Sequence, residues 1–287
     1  SIRAVLRYLD DTDADAAAAA RARYGCLTPW ETDPAAYGAA ALRGRFDDCA
    51  EAIVQVLSDL LAERLRYQDQ DGDRFFDAER NATLVQNAER YYRAMYYGTE
   101  RSWNLRDSHM FDTLRAVLAR QGEAARAVVW AHNSHVGDAG ATAMSARGET
   151  NLGELCRREY GERCYAIGFG TDRGTVAAAS DWDGPMQIMQ VRPAHEASYE
   201  RVCRDSGIPR FLLPLRGAVA GALESERLER AIGVIYRPHT ELASHYFHAR
   251  LPRQFNEWIW LDETRAVDAL PAPHAAAALP DTFPFGL

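Results

Sequence analysis

Two histidines three residues apart, His132 and His135, stand in a polar loop that closes on Asp138, directly after the apolar run Val128-Val129-Trp130-Ala131. Imidazole is the side chain whose ordinary pKa lies closest to neutrality, so such a pair can accept and return a proton at physiological pH. The run from Arg126 to Ala131 is β-branched and reads as a strand, and in open α/β sheets ligands bind at the carboxyl ends of strands. That is where the loop sits. Spacing alone leaves three readings open. A loop whose imidazoles bond the backbone stands slightly ahead, because His-x-x-His is not specific. An acid–base site comes next. A metal site built on His132, His135 and Asp138 ranks below both, since no fourth ligand is evident. His245 and His248 repeat the spacing in an aromatic segment without the strand-end context, and His109 and His239 read as structural or exposed.

The elements that would position this loop follow from periodicity and punctuation. Apolar residues at Ile2, Val5, Leu6 and Leu9 have helical spacing, and the Asp11-Thr12-Asp13 cluster reads as a break and the cap of a second helix through the Ala run. Asp33-Pro34 opens another helix. Ile53, Val54, Leu57, Leu60, Leu61 and Leu65 make one stripe of a helix from Phe46 to about Tyr67, with a turn at Asp69–Asp73 before a helix from Phe75 to Tyr97. Asn104 is placed as the cap of a helix carrying Leu105, Met110, Leu114 and Leu118, with Arg106 and Asp107 in its first turn. Asn151 caps a helix through Tyr160. Strands are expected at 163–170 and 174–179, joined by a turn, and at 211–215, 231–236 and 257–261, with a helix around 195–204. Helices alternating with short apolar strands give an α/β fold with a mixed, mostly parallel sheet. The expected organisation is a mainly helical portion at 1–122, the sheet portion of the same domain at 123–266 and an Ala/Pro-rich tail at 267–287.

Composition removes several chemistries. All 33 Lys-or-Arg positions are Arg, so a Schiff-base, P-loop or kinase-type lysine has no candidate. No G-x-S-x-G, H-E-x-x-H or post-strand G-x-G-x-x-G occurs. The formal charge of −8 argues against nucleic acid as a partner, and no run of about 18 apolar residues suggests a membrane span. Cys26, Cys49, Cys156, Cys164 and Cys203 are an odd set without C-x-x-C, which reads as reduced thiols in a cytoplasmic protein. No secretory signal is visible, and a chain opening on Ser1 reads as a processed product or fragment.

Several segments together resemble the erythromycin esterase family. They are Tyr91-Tyr92-Arg93-Ala94-Met95, the stretch Ser102-Trp103-Asn104-Leu105-Arg106-Asp107-Ser108-His109-Met110, and Trp130-Ala131-His132-Asn133-Ser134-His135. Gly168-Phe169-Gly170-Thr171, Ser180-Asp181-Trp182-Asp183-Gly184-Pro185 and Ser244-His245-Tyr246-Phe247 fit its broader branch. The resemblance implies an α/β fold with extensive helical decoration and a hydrolase that directs water onto a lactone or other carboxylic ester, without metal or other cofactor. A macrolide-like substrate and a link to antibiotic response follow from the same resemblance. Its H-N-x-H histidines map onto His132 and His135, and its N-x-R-D arginine maps onto Arg106, which would face an oxyanion or hold a carboxylate. Asn104 and Asp107 of that motif are the substrate-binding candidates. The family's N-terminal G-E-x-x-H-G segment has no counterpart here, so the resemblance implies an N-terminally incomplete fold. A non-catalytic remnant that binds a small molecule or a partner is the alternative.

Overall fold

The Ala-rich opening breaks at the Asp11-Thr12-Asp13 cluster as expected, and Asp13 is the residue of the three that caps. In the computed structural model, which describes residues 1–31, 33–44, 49–96, 99–182 and 184–268, α1 (Ile2–Thr12) ends there and α2 (Ala14–Tyr24) begins, with the Asp13 carboxylate accepting from Ala16 N–H at 3.0 Å. Then come α3 (Pro34–Leu42), capped by Asp33, α4 (Ala50–Ala62), α5 (Arg64–Ala94) and α6 (Thr99–Gln121). The chain divides into two compact units, Ser1–Leu114 and the described part of Arg115–His274. The core of the first is built from Val5, Tyr8 and Leu9 against Ile53, Val56, Leu60, Tyr67 and Phe75.

Three expectations in this unit are corrected. The single helix expected from Phe46 to Tyr67 is two helices hinged at Glu63, while 45–48 lie outside the described residues. The turn at Asp69–Asp73 is a kink instead. Only Asp71 leaves helical geometry (φ −159°, ψ 90°), and its side chain accepts from Arg74 N–H at 3.1 Å, so the acid caps the second half without a loop. Asn104 is not a cap, because α6 starts at Thr99 and carries Asn104 in its interior.

Cys26 and Cys49 form a disulfide with Cα atoms 5.9 Å apart, which overturns the reading of all five cysteines as free thiols. Cys156, Cys164 and Cys203 are free. Spacing could not reveal the bridge, since a pair 23 residues apart is joined by packing and not by a motif. The argument for a reducing compartment from cysteine usage therefore falls. No helix among the described residues is long and apolar enough to cross a membrane.

The second unit is the α/β part. Short helices α7 (Asn133–Val136) and α8 (Ala143–Ala146) and the longer α9 (Leu152–Tyr160) precede β1 (Ile167–Ala178) and β2 (Gln187–Val191). After α10 (Tyr199–Asp205) come β3 (Arg210–Pro214), α11 (Gly217–Leu223), β4 (Arg227–Arg230), α12 (Glu241–Ser244), β5 (Tyr246–Ala249), α13 (Leu251–Gln254) and β6 (Glu257–Thr264). Four strands make a sheet in the order β2-β1-β6-β3, and β4 pairs with β5 in a second, two-stranded sheet. The mixed α/β sheet is as expected, with less parallel pairing than the pattern suggested. The central β1–β6 ladder is parallel, and both flanking ladders are antiparallel.

The register Gly168↔Trp258↔Leu213 and Gly170↔Trp260↔Phe211 puts both tryptophans on one sheet face. There they are fully buried with Tyr199, Leu251 and Phe255. The turn expected near 171–173 does not exist. β1 runs through it, and Gly174, at φ +125°, closes the parallel register to Thr264 and opens the antiparallel one to Val191. The strand expected at 231–236 is displaced to β4, just upstream. The run 126–131 carries no strand ladder among the described residues, and Val128 and Trp130 are 93% and 88% exposed. β-branched composition favours an extended backbone, but a strand also requires a neighbour.

Cys26→Ser should lower stability under non-reducing conditions by about 3 kcal/mol, the loop-closure entropy of a cross-link of this span. A Tm shift that persists equally in reductant would contradict that origin.

Candidate active site: the histidine loop

His132, itself extended (φ −62°, ψ 151°), is the residue that caps α7, and its chemistry is set by two contacts. Its Nδ1 accepts from Ser134 N–H at 3.2 Å and lies 2.8 Å from Ser134 Oγ. An accepting Nδ1 leaves the proton on Nε2, which lies 3.0 Å from the Ile232 carbonyl and donates to it. Burial, then the nearby His135, push the His132 pKa below the ordinary histidine value, and only the Ile232 carbonyl opposes them. His132 is therefore a neutral imidazole with a fixed tautomer. His135, one turn on, is buried, and its N–H donates to the His132 carbonyl at 2.8 Å.

Two asparagines hold this turn. Asn133 clasps β1 as a neighbouring strand would. Its Nδ2 donates to the Phe169 carbonyl at 2.7 Å and its Oδ1 accepts from Phe169 N–H at 3.1 Å. Asn151 is 1% exposed. Its Nδ2 donates to the carbonyls of Ser134 and Gly137, both at 2.7 Å, and its Oδ1 accepts from Glu154 N–H at 2.9 Å and Ala139 N–H at 3.3 Å. The cap expected of Asn151 is present. The clamp it applies to the histidine loop, 14 to 17 residues upstream, had no signal in the sequence.

Asp138 does not join the histidines. Its Oδ1 accepts from Gly140 N–H at 2.9 Å and its Oδ2 pairs with Arg157 at 3.3 Å. No group of three His, Cys, Asp or Glu side chains among the described residues converges as a metal site, so the metal reading loses its donor set. Arg106, Asn104 and Asp107 all lie on α6 in the first unit, with the Arg106 guanidinium 5.7 Å from the Trp103 ring centroid and Asp107 fully buried. His245 is structural, as read: its Nε2 accepts from Arg237 N–H at 2.9 Å. His109 lies 2.9 Å from Asn87 Nδ2.

Sequence reading missed the buried groups behind the loop. Glu200 and Glu229 are 1% and 0% exposed, and Gln254 is 1% exposed. Glu229 stands in Arg227-Leu228-Glu229-Arg230, which reads as a solvated charge cluster. In β4 it is buried together with its neighbour Arg230.

An α/β unit with a mixed sheet and a histidine turn pinned beside its central parallel pair defines the class. The family model described as Erythromycin esterase matches residues 1–264, and the chain belongs to that family. Among solved structures, a Bacillus cereus protein is 14% identical with a TM-score of 0.75, over 92% of this chain and 63% of that one. A succinoglycan biosynthesis protein is 17% identical with a TM-score of 0.70, over 92% and 61%. The erythromycin esterase EreC, as a His-to-Asn mutant in its open conformation, is 15% identical with a TM-score of 0.57, over 91% and 64%. The chain thus spans 61–64% of the length of these proteins, and at such identities the likeness is one of fold.

Asn151→Ala should cost on the order of 3 kcal/mol, because it strands buried carbonyls and amides together. Denaturant unfolding would measure this, and a loss within about 0.5 kcal/mol, typical of a surface site, would refute the clamp. Nitrogen-15 NMR should show His132 as the Nε2–H tautomer with its titration midpoint below the ordinary value of 6.5. Because its folded pKa is depressed, the stability it contributes is present above that value and is lost as pH falls through the folded pKa.

Proposed function

We propose that the chain is the histidine-bearing part of a hydrolase of the erythromycin esterase type, which directs water onto the carbonyl of a lactone or other carboxylic ester. The carrying observation is a buried His135 and a half-buried His132 on one loop fixed by Asn133 and Asn151. A rigidly held, neutral imidazole is what proton transfer to or from an attacking water requires. In this reading His135 exchanges the proton, and His132 holds the turn and supplies a neutral, low-pKa neighbour. The family resemblance alone gives Arg106 the role of meeting developing negative charge or a substrate carboxylate, and Asn104 and Asp107 that of substrate binding. A macrolide lactone fits the family's chemistry, with a role in the response to antibiotic.

One observation favours a second reading. Both ring nitrogens of His132 already have partners, which suits a remnant that keeps the loop as scaffold and binds a small molecule without turnover. Mass spectrometry of a macrolide and of simple esters incubated with the chain separates the two. On the first reading products accumulate, and His135→Ala reduces the rate by about 100-fold or more, the usual contribution of a general acid–base group. No turnover above buffer, with retained ligand binding, would favour the second.

A further inference from the structure

Behind the histidine loop, three observations meet at one contact. Gln254 Nε2 donates to Glu229 Oε1 at 3.3 Å. The other Glu229 oxygen, Oε2, is buried without a hydrogen-bond partner, and so is Gln254 Oε1. As an ionised carboxylate, Glu229 would leave both orphans in place, each at a full desolvation cost, with a buried charge besides. A single proton removes the conflict. Placed on Glu229 Oε2, it is donated to Gln254 Oε1, and acid and amide form a cyclic pair in which each group gives one hydrogen bond and takes one.

We infer that Glu229 is a neutral carboxylic acid paired with the Gln254 amide, and that this pair is a positioning element of the histidine loop. Gln254 connects the two. Its main-chain carbonyl accepts from Asp138 N–H at 3.1 Å and from Arg157 Nη2 at 3.3 Å. Its side chain lies so close to Gly137 that a Cβ there would stand 2.6 Å from Nε2. The amide can rest against the turn after His135 only while its own polar atoms are matched, and Glu229 matches them.

The surroundings agree. Burial first, and then the Glu200 carboxylate on α10, raise the Glu229 pKa well above the ordinary carboxylate range, against weaker opposition from Gln254 on α13 and Asn133 on α7. Glu200 is itself raised by burial, although its Oε1 accepts from Arg230 N–H at 2.9 Å. The neighbouring Tyr199 hydroxyl is engaged with the carbonyls of Leu223, Ser225 and Ala249, and its own pKa is raised chiefly by burial. No cation of these elements pairs with Glu229 among the described residues.

The role in the loop rests on the reading of His132 and His135 as the site, but the protonation state does not, and the tests separate them. In difference infrared spectra of the whole chain near neutral pH, Glu229→Gln should remove a protonated-carboxyl band and leave the carboxylate bands intact. Loss of carboxylate absorption instead would overturn the proposal. A raised folded pKa means that Glu229 stabilises the fold below the ordinary glutamate pKa of about 4.3 and that this is lost as pH rises through the folded value. The Tm of wild type should therefore fall relative to Glu229→Gln as pH rises from about 5 to about 8. A difference independent of pH would count against it. For positioning, the ring signals of His132 and His135 should be kept in Glu229→Gln, which preserves a donor and an acceptor, and displaced in the apolar, similarly sized Glu229→Met. Identical histidine spectra in both variants would show that Glu229 does not hold the loop. Intact pairing in a chain without esterase activity would sink the catalytic reading and leave the acid–amide pair standing.

Discussion

A tight turn that carries polar side chains into a protein interior must satisfy its own backbone, and this requirement organises the second unit. The carbonyls of Ser134 and Gly137 and the N–H of Ala139 have no place in a regular ladder, and Asn151 serves all of them while capping α9. One amide side chain has four hydrogen-bonding sites, and here each is used. The histidines are rigid because of this accounting. Asn133 extends it to β1, and the Asp138 N–H extends it to α13. The loop is held on three sides by groups that exchange hydrogen bonds and not by hydrophobic contact alone.

The same requirement governs the buried charges nearby. Arg230 is 6% exposed and donates to the carbonyls of Arg192 and Asp172 and to Glu241. That guanidinium ties β4 to the middle of β1, and Glu241 compensates its charge. Glu229, its neighbour in sequence, accepts a hydrogen bond from Gln254 and has no cation paired with it among the described residues. Adjacent positions of β4 thus hold one buried cation with an acidic partner and one buried acid whose contact is an amide.

How much of this could be read in the sequence depends on whether the cause is local. Asp13, Asp33, Asn151 and the amphipathic spacing of the first helices act on residues three or four positions away, and these elements fold as the pattern predicts. Strand identity is non-local, and there the pattern misled. The β-branched run 126–131 has the composition of a strand and no strand partner among the described residues, while β4, which reads Arg-Leu-Glu-Arg, becomes one because β5 lies beside it. The Cys26–Cys49 bridge is non-local in the same sense. His132 and His135 were visible by residue type and position, but the groups that fix them, Asn151 and Gln254, lie up to about 120 residues away and resemble ordinary polar residues of a loop and a short helix.

This difference bears on what family membership can transfer. A motif such as His132-Asn133-Ser134-His135 carries residue identity, and its meaning depends on tautomer, burial and support that the motif does not encode. Here the first histidine has spent both nitrogens on the turn. A group so engaged is a poor candidate to release its proton and a good one to keep its neighbour in place. The asparagine between the two imidazoles joins the turn to β1 through a pair of hydrogen bonds between its side chain and the Phe169 main chain.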